Sequence, residues 1–131
     1  MNFDIIDTMV RTAMDAMRNA YVEHNGIVAG ACVLTADGTL YSGCSIDHPV
    51  PGLNYTAEIV AMLRAISDGK REIDAVAIVA DIEGLYIPDE DTYRFLNEFD
   101  VEEIVLADLN GDVKIMRLDE LAPYRPRRRT Y

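Results

Sequence analysis

Thr56-Ala57-Glu58 and, further on, Pro88-Asp89-Glu90-Asp91-Thr92 bracket the apolar run Ala75-Val76-Ala77-Ile78-Val79-Ala80. The run is short, uncharged and rich in β-branched residues, which predicts a central strand buried on both faces. Each flanking stretch reads as a helix start. Threonine and aspartate are favoured N-cap residues, because a side-chain oxygen can take up one of the free N–H groups of the first turn. Proline suits a helix entrance, and Glu90 and Asp91 complement the positive end of a helix dipole. The spacing therefore predicts one helix over about 56–68, stopped by Gly69, and another running from Pro88 to about Phe99.

Working outward, residues 3–20 set Ile5, Met9, Ala13, Met14 and Met17 at helical spacing with polar residues between them. Residues 27–35 are small and β-branched and end in Ala36-Asp37-Gly38-Thr39, a hairpin signal, after which Leu40 to Ile46 makes the return strand. A loop with Pro49, Pro51 and Gly52 follows. Val101 to Ala107 reads as a strand, Asn110-Gly111 as a turn, and Val113 to Leu118 as a last strand. The expected order is α-β-β-α-β-α-β-β: an α/β fold of three layers (α/β/α) around a five-stranded mixed sheet. No repeat or linker divides the chain, so residues 1–124 are expected to form a single domain, with 125–131 as an Arg-rich C-terminal tail.

The formal charge is −11, and the acidic excess is concentrated in the body of the chain. Arg125, Arg127, Arg128 and Arg129 crowd the last seven positions, leaving 8 basic against 23 acidic groups in the first 124 residues. Such a body repels a polyanion, which argues against duplex nucleic acid as a partner. The tail reads either as a loose solubilising end or as a dock for an acidic neighbour or a phosphate. Cys32 and Cys44 lack paired spacing, no run of about 18 apolar residues is present, and Met1-Asn2-Phe3-Asp4 has neither the basic region nor the apolar core of a signal peptide. A reduced, cytoplasmic protein without a membrane partner is expected.

Ala20-Tyr21, Ala29-Gly30-Ala31 with Thr35-Ala36-Asp37-Gly38, Gly43-Cys44-Ser45-Ile46-Asp47-His48, Ala65-Ile66-Ser67-Asp68-Gly69 and Glu120-Leu121-Ala122-Pro123 stand along these elements as successive anchors. In these anchors and their order the chain resembles the small cytidine deaminases. The anchors run without a gap from about residue 20 to residue 99. Thr56-Ala57-Glu58 falls on the family's Cys-Ala-Glu and Pro88 to Thr92 on its Pro-Cys-x-x-Cys, the signature that sets a zinc-activated water beside a proton-shuttling glutamate.

The resemblance implies that Glu58 is that glutamate and that Thr56, Asp89 and Thr92 stand in the three zinc-ligand positions. It implies a nucleoside pocket contacted by Ser45, Asp47, Ala57 and Glu58, with Ile27 in place of an entrance phenylalanine. It also implies a homotetramer. The arginine that follows the glutamate in the family is Ile59 here, which fits a site with no thiolate charge to offset.

Zinc at such a site requires thiolate or imidazole ligands, and hydroxyl groups are poor substitutes. The leading expectation is therefore a zinc-free member without deaminase activity that binds a nucleoside or nucleotide in the pocket. Two enzymatic alternatives stand beside it: hydrolysis of altered chemistry using Glu58, and residual cytidine deamination. A structural or regulatory subunit of an oligomer is a further alternative. Glu58, Asp89 and Asp91 are a candidate cluster for Mg²⁺ or Ca²⁺, whereas helix N-termini freed of thiolates would favour an anion such as a phosphate. The plain structural readings make Thr56 and Asp89 helix caps, Glu58 a semi-exposed helix carboxylate, His24 and His48 loop histidines, and Tyr21 and Tyr55 core or rim residues.

Overall fold

Alternation along the strands sorts the side chains of this chain into two apolar layers. In the computed structural model, which describes residues 2–23 and 26–124, the elements are α1 (Phe3–Ala16), β1 (Ala29–Thr35), β2 (Leu40–Cys44), α2 (Ala57–Ser67), β3 (Ile73–Ala80), α3 (Glu90–Glu98), β4 (Glu103–Ala107) and β5 (Val113–Arg117). The order along the chain is the expected one. Cys32, Leu34, Ala75, Ala77, Val79 and Val105 face α1, where they meet Ile6, Met9, Val10 and Ala13. Their neighbours Ala31, Val33, Val76, Ile78, Ile104 and Leu106 face the other way, onto Ala57, Ala61, Met62 and Ala65 of α2 and Leu96 of α3. The period of two is the geometry of a pleated strand covered on both faces.

The five strands lie in the order β2-β1-β3-β4-β5. β3 and β4 are parallel, because α3 carries the chain back across the sheet between them, and the other neighbours are antiparallel. Two glycines bring helices down onto this sheet. A Cβ at Gly30 would lie 1.9 Å from the carbonyl oxygen of Ala13, so α1 rests on the backbone of β1. A Cβ at Gly43 would lie 2.5 Å from the Ala61 nitrogen and 2.8 Å from the Ala57 oxygen. That close approach seats the first turns of α2 on β2.

Several boundaries differ from the sequence reading. The α1 stripe is centred on Ile6, Met9, Val10 and Ala13, with Ile5, Met14 and Met17 packed at its margin, and the helix tightens to a 3-10 turn over Met17–Asn19. Ile46 lies beyond β2 and instead makes single bridges to Tyr21 and Tyr55. Asp89 is the cap of α3, leaving Pro88 outside the helix. β4 begins at Glu103 because Asp100 turns at φ 52° and the Val101 N–H is held by the Leu96 carbonyl at the end of α3. Leu118–Tyr124 form a 3-10 segment that the sequence reading did not anticipate. Among the described residues no helix is long and apolar enough to cross a membrane. His24 and the Arg125–Arg129 tail lie outside the described residues.

Candidate active site

A cleft of about 350 Å³ opens where the ends of β1 and β2 meet the N-terminus of α2 and the segment that leads into α3. This is within the range that holds a small organic ligand. Ile27, Ser45, Asp47 and Ala57, all expected to contact a ligand, line it together with Thr56, Tyr86 and Asp89. Glu58, also expected to contact a ligand, is not among the lining residues: it and Thr92 are buried next to them, at 0% and 3% exposure.

Each wall follows from local structure. The Ser45 hydroxyl accepts from the Ala29 N–H at 2.9 Å and donates to the Ala29 carbonyl at 3.3 Å. It thereby prolongs the β1–β2 pairing by one step and faces the cleft with most of its hydrogen-bonding capacity already used. Asp47 is set by its backbone N–H, which donates to the Tyr21 carbonyl at 2.7 Å. Tyr21 is half exposed; Tyr55 is also exposed and borders the cleft. Ile27 supplies an apolar wall.

Glu58 departs most from the plain reading of a semi-exposed carboxylate. It lies in the first turn of α2 and is fully buried. The Tyr86 hydroxyl donates to its Oε2 at 2.8 Å, while its Oε1 is buried without a hydrogen-bond partner. Burial pushes the carboxyl above its ordinary range, an effect that outweighs its own backbone N–H and the hydroxyls of Tyr86 and Thr56, while the nearby Asp89 charge pushes in the same direction. Tyr86 in turn is pushed up by burial and by the adjacent carboxylate. The sequence reading missed Tyr86. Nothing in the spacing of Gly84-Leu85-Tyr86-Ile87 marks it, and its partner lies 28 residues away.

The three positions that the resemblance assigns to zinc do converge. The Thr56 and Thr92 hydroxyl oxygens are 3.4 Å apart. Asp89 caps α3, accepting the Thr92 N–H at 2.8 Å, whereas Thr56 occupies the cap position of α2 without a side-chain bond to the helix's own backbone N–H groups. This donor set does not fit zinc: two neutral hydroxyls and one exposed carboxylate already holding a backbone N–H replace the soft, charged ligands that zinc needs. Asp91 is exposed on the first turn of α3, and among the described residues no group of three or more His, Cys, Asp or Glu could hold a metal ion. The expected Glu58–Asp89–Asp91 cluster is therefore not formed.

The cysteines lie elsewhere. Cys32 is buried under α1, where burial pushes its thiol up to about 12, and Cys44 is half-buried at the end of β2. His48 is an exposed loop residue whose Nδ1 accepts the Val50 N–H at 3.0 Å.

No family model matches the chain. Individual proteins do. A cytidine deaminase of Sporosarcina psychrophila is 32% identical over 120 residues, covering 90% of this chain and 88% of that protein. One from Halalkalibacterium halodurans is 30% identical over 117 residues, covering 88% and 89%. Among solved structures, the crystal structure of cytidine deaminase from Burkholderia pseudomallei superposes with a TM-score of 0.83 at 27% identity, covering 92% of this chain and 96% of that one. These relatives overturn the leading expectation of a non-deaminating binding protein and favour the alternative of residual deamination. The physical reason for the error is that the sequence reading gave the replaced ligand positions more weight than the retained Glu58, which the fold keeps fully buried next to the cleft wall.

Proposed function

The chain belongs to the cytidine deaminase family, and we propose that it catalyses the hydrolytic deamination of a cytidine-type nucleoside in the cleft beside Glu58. The observation that carries this reading is Glu58 itself: a fully buried carboxyl with one oxygen unpartnered and the other held by Tyr86, which lines a cavity of ligand size. In this reaction water adds to the ring carbon that bears the amino group, and the amine leaves as ammonia. Glu58, whose protonated form burial favours, donates its proton to the ring nitrogen. As the resulting carboxylate it takes a proton from the attacking water, passes that proton to the leaving amine, and recovers one from the new ring hydroxyl as ammonia departs and the carbonyl forms. Ser45, Asp47 and Ile27 orient the nucleoside, and the backbone at Ala57 allows the ring to approach α2.

The donor chemistry of Thr56, Asp89 and Thr92 leads us to read this member as one whose water is not activated by thiolate-bound zinc. Proton transfer by a placed carboxyl is worth roughly 10²–10⁴-fold, so slow turnover is expected. The Tyr41, Ile46, Tyr55, Val60 and Leu63 groove next to the cleft, of which Ile46, Tyr55 and Leu63 are exposed, supports self-association of the chain. Light scattering would test that association.

The decisive assay incubates cytidine or deoxycytidine with concentrated protein and follows uridine or deoxyuridine together with released ammonia. Product above the buffer rate that disappears in Glu58→Gln supports the reading. Wild-type protein no faster than buffer overturns it.

A further inference from the structure

We propose that Tyr86 is the positioning residue for Glu58: its hydroxyl pins Oε2, so that Oε1 is the oxygen that exchanges protons with the bound substrate. This rests on the deaminase reading above and concerns how its acid is held. Tyr86 belongs to no helix or strand; it sits in the segment between β3 and the cap of α3. From there it does two things at once. It forms part of the cleft wall, and its hydroxyl reaches Glu58 at 2.8 Å.

The two carboxyl oxygens of Glu58 are thereby made unequal. Oε2 accepts from a phenol, and Oε1 is buried with no partner. When Glu58 is protonated and Tyr86 is donating, the acid proton belongs on Oε1, because Oε2 already faces a donor. When Oε1 gives that proton to a ring nitrogen, the charge left behind is shared with an oxygen that keeps its hydrogen bond. The proton then taken from water passes to the leaving amine, and the new ring hydroxyl returns one to the carboxylate as the carbonyl forms, so the carboxyl is unchanged over one cycle of nucleoside plus water to deaminated nucleoside plus ammonia.

The groups around Glu58 leave this task to Tyr86. The Thr56 hydroxyl at the cap of α2 also favours the charged form but lies 3.4 Å from the Thr92 hydroxyl, a neutral buried group in the first turn of α3. Asp89, at the cap of α3, is the other titratable group acting on Glu58, and its charge opposes ionisation. The Glu58 backbone N–H favours the charged form as well. Tyr86 is the side chain that holds one named oxygen.

The test compares wild type with Tyr86→Phe, which keeps the ring and removes the donor. Protein labelled with ¹³C at the glutamate carboxyls is titrated by NMR, the Glu58 resonance being identified by its loss in Glu58→Gln. In parallel, kcat and KM for cytidine are measured. Tyr86→Phe is expected to move the Glu58 midpoint upward, since its carboxylate loses a donor, and to lower kcat about 10-fold with KM within about twofold. An unmoved midpoint overturns the proposal whatever the turnover. A moved midpoint with unchanged kcat also overturns it, because the contact would then be structural only. If wild-type protein deaminates neither cytidine nor deoxycytidine, the functional reading falls separately; the midpoint then decides by itself whether Tyr86 holds Glu58.

Discussion

The hydroxyl oxygens of Thr56 and Thr92 lie 3.4 Å apart, joining the N-terminal ends of α2 and α3 across a sequence separation of 36. The resemblance would place two zinc-bound cysteines at these positions. The backbone thus holds the two positions close together while the side chains offer poor donors for that metal. Purified protein dialysed against zinc is expected to retain no stoichiometric metal by plasma mass spectrometry. The combined variant Thr56→Cys, Asp89→Cys, Thr92→Cys is expected to retain one zinc per chain. Stoichiometric zinc on the wild type would show that these oxygen donors suffice.

Two helix caps that look alike in sequence should differ in worth. Asp89 accepts the Thr92 N–H, whereas Thr56 makes no side-chain cap bond. Asp89→Ala is expected to lower stability by about 1 kcal/mol and Thr56→Ala by no more than about 0.5 kcal/mol, read from urea unfolding midpoints at constant m-value. Equal losses would show that Thr56 caps α2 in solution.

Burial raises the Glu58 carboxyl above its ordinary range, and this gives stability a sign with pH. In the unfolded chain the group titrates normally. Between the ordinary glutamate range and its folded value, the folded state holds the extra proton. The stabilisation is complete below the unfolded value and is lost as pH rises through the folded one. From about pH 4 to pH 8, wild type should therefore lose melting temperature relative to Glu58→Gln. Parallel melting curves for the two proteins across that range would contradict the raised value.

Gly43 sets the distance between β2 and α2, the helix that carries Glu58. A methyl group there would meet the backbone at Ala57 and Ala61, which cannot swing aside as a flexible side chain could. Gly43→Ala is expected to cost about 1–3 kcal/mol and to reduce deaminase turnover more than Gly38→Ala, because Gly38 has open space around it at the hairpin turn. Gly38→Ala has its own cost, from the positive φ of 87°. Urea unfolding and product assays on both variants separate displacement of α2 from loss of stability alone.

Ser45 serves the fold as well as the cleft. Ser45→Ala removes the acceptor of the buried Ala29 N–H and is expected to cost about 1–3 kcal/mol. Hydrogen exchange should show the Ala29 amide losing protection. An unchanged Ala29 amide would mean that the hydroxyl is turned toward the cleft instead.

Much of the fold was legible because its signals are local. The hairpin at Ala36-Asp37-Gly38-Thr39, the stop at Gly69 and the uncharged run Ala75–Ala80 each announce an element within a few residues, and each element is present. The cleft-lining residues Ile27, Ser45, Asp47 and Ala57 were legible through the resemblance, since a preserved order of anchors carries preserved positions with it. Local signals failed where an element ends by a contact with something distant. The Asp100 turn that delays β4 depends on the Leu96 carbonyl at the end of α3, and Ile46 left β2 to bridge Tyr21 and Tyr55. Activity was misjudged from three side chains, and the relatives corrected it.

The sequence by itself determined the element types, their order and the burial of β3, because hydrophobic period and turn chemistry act between near neighbours. Only the tertiary structure decided which oxygen of Glu58 is held, that Asp91 faces solvent while Thr92 is buried, and that Tyr86 belongs to the site. Those facts depend on the rotation of α3 and on the path of the chain from β3 to it. Neither is encoded in spacing: each is set by how the apolar faces of α2, α3 and the sheet close on one another.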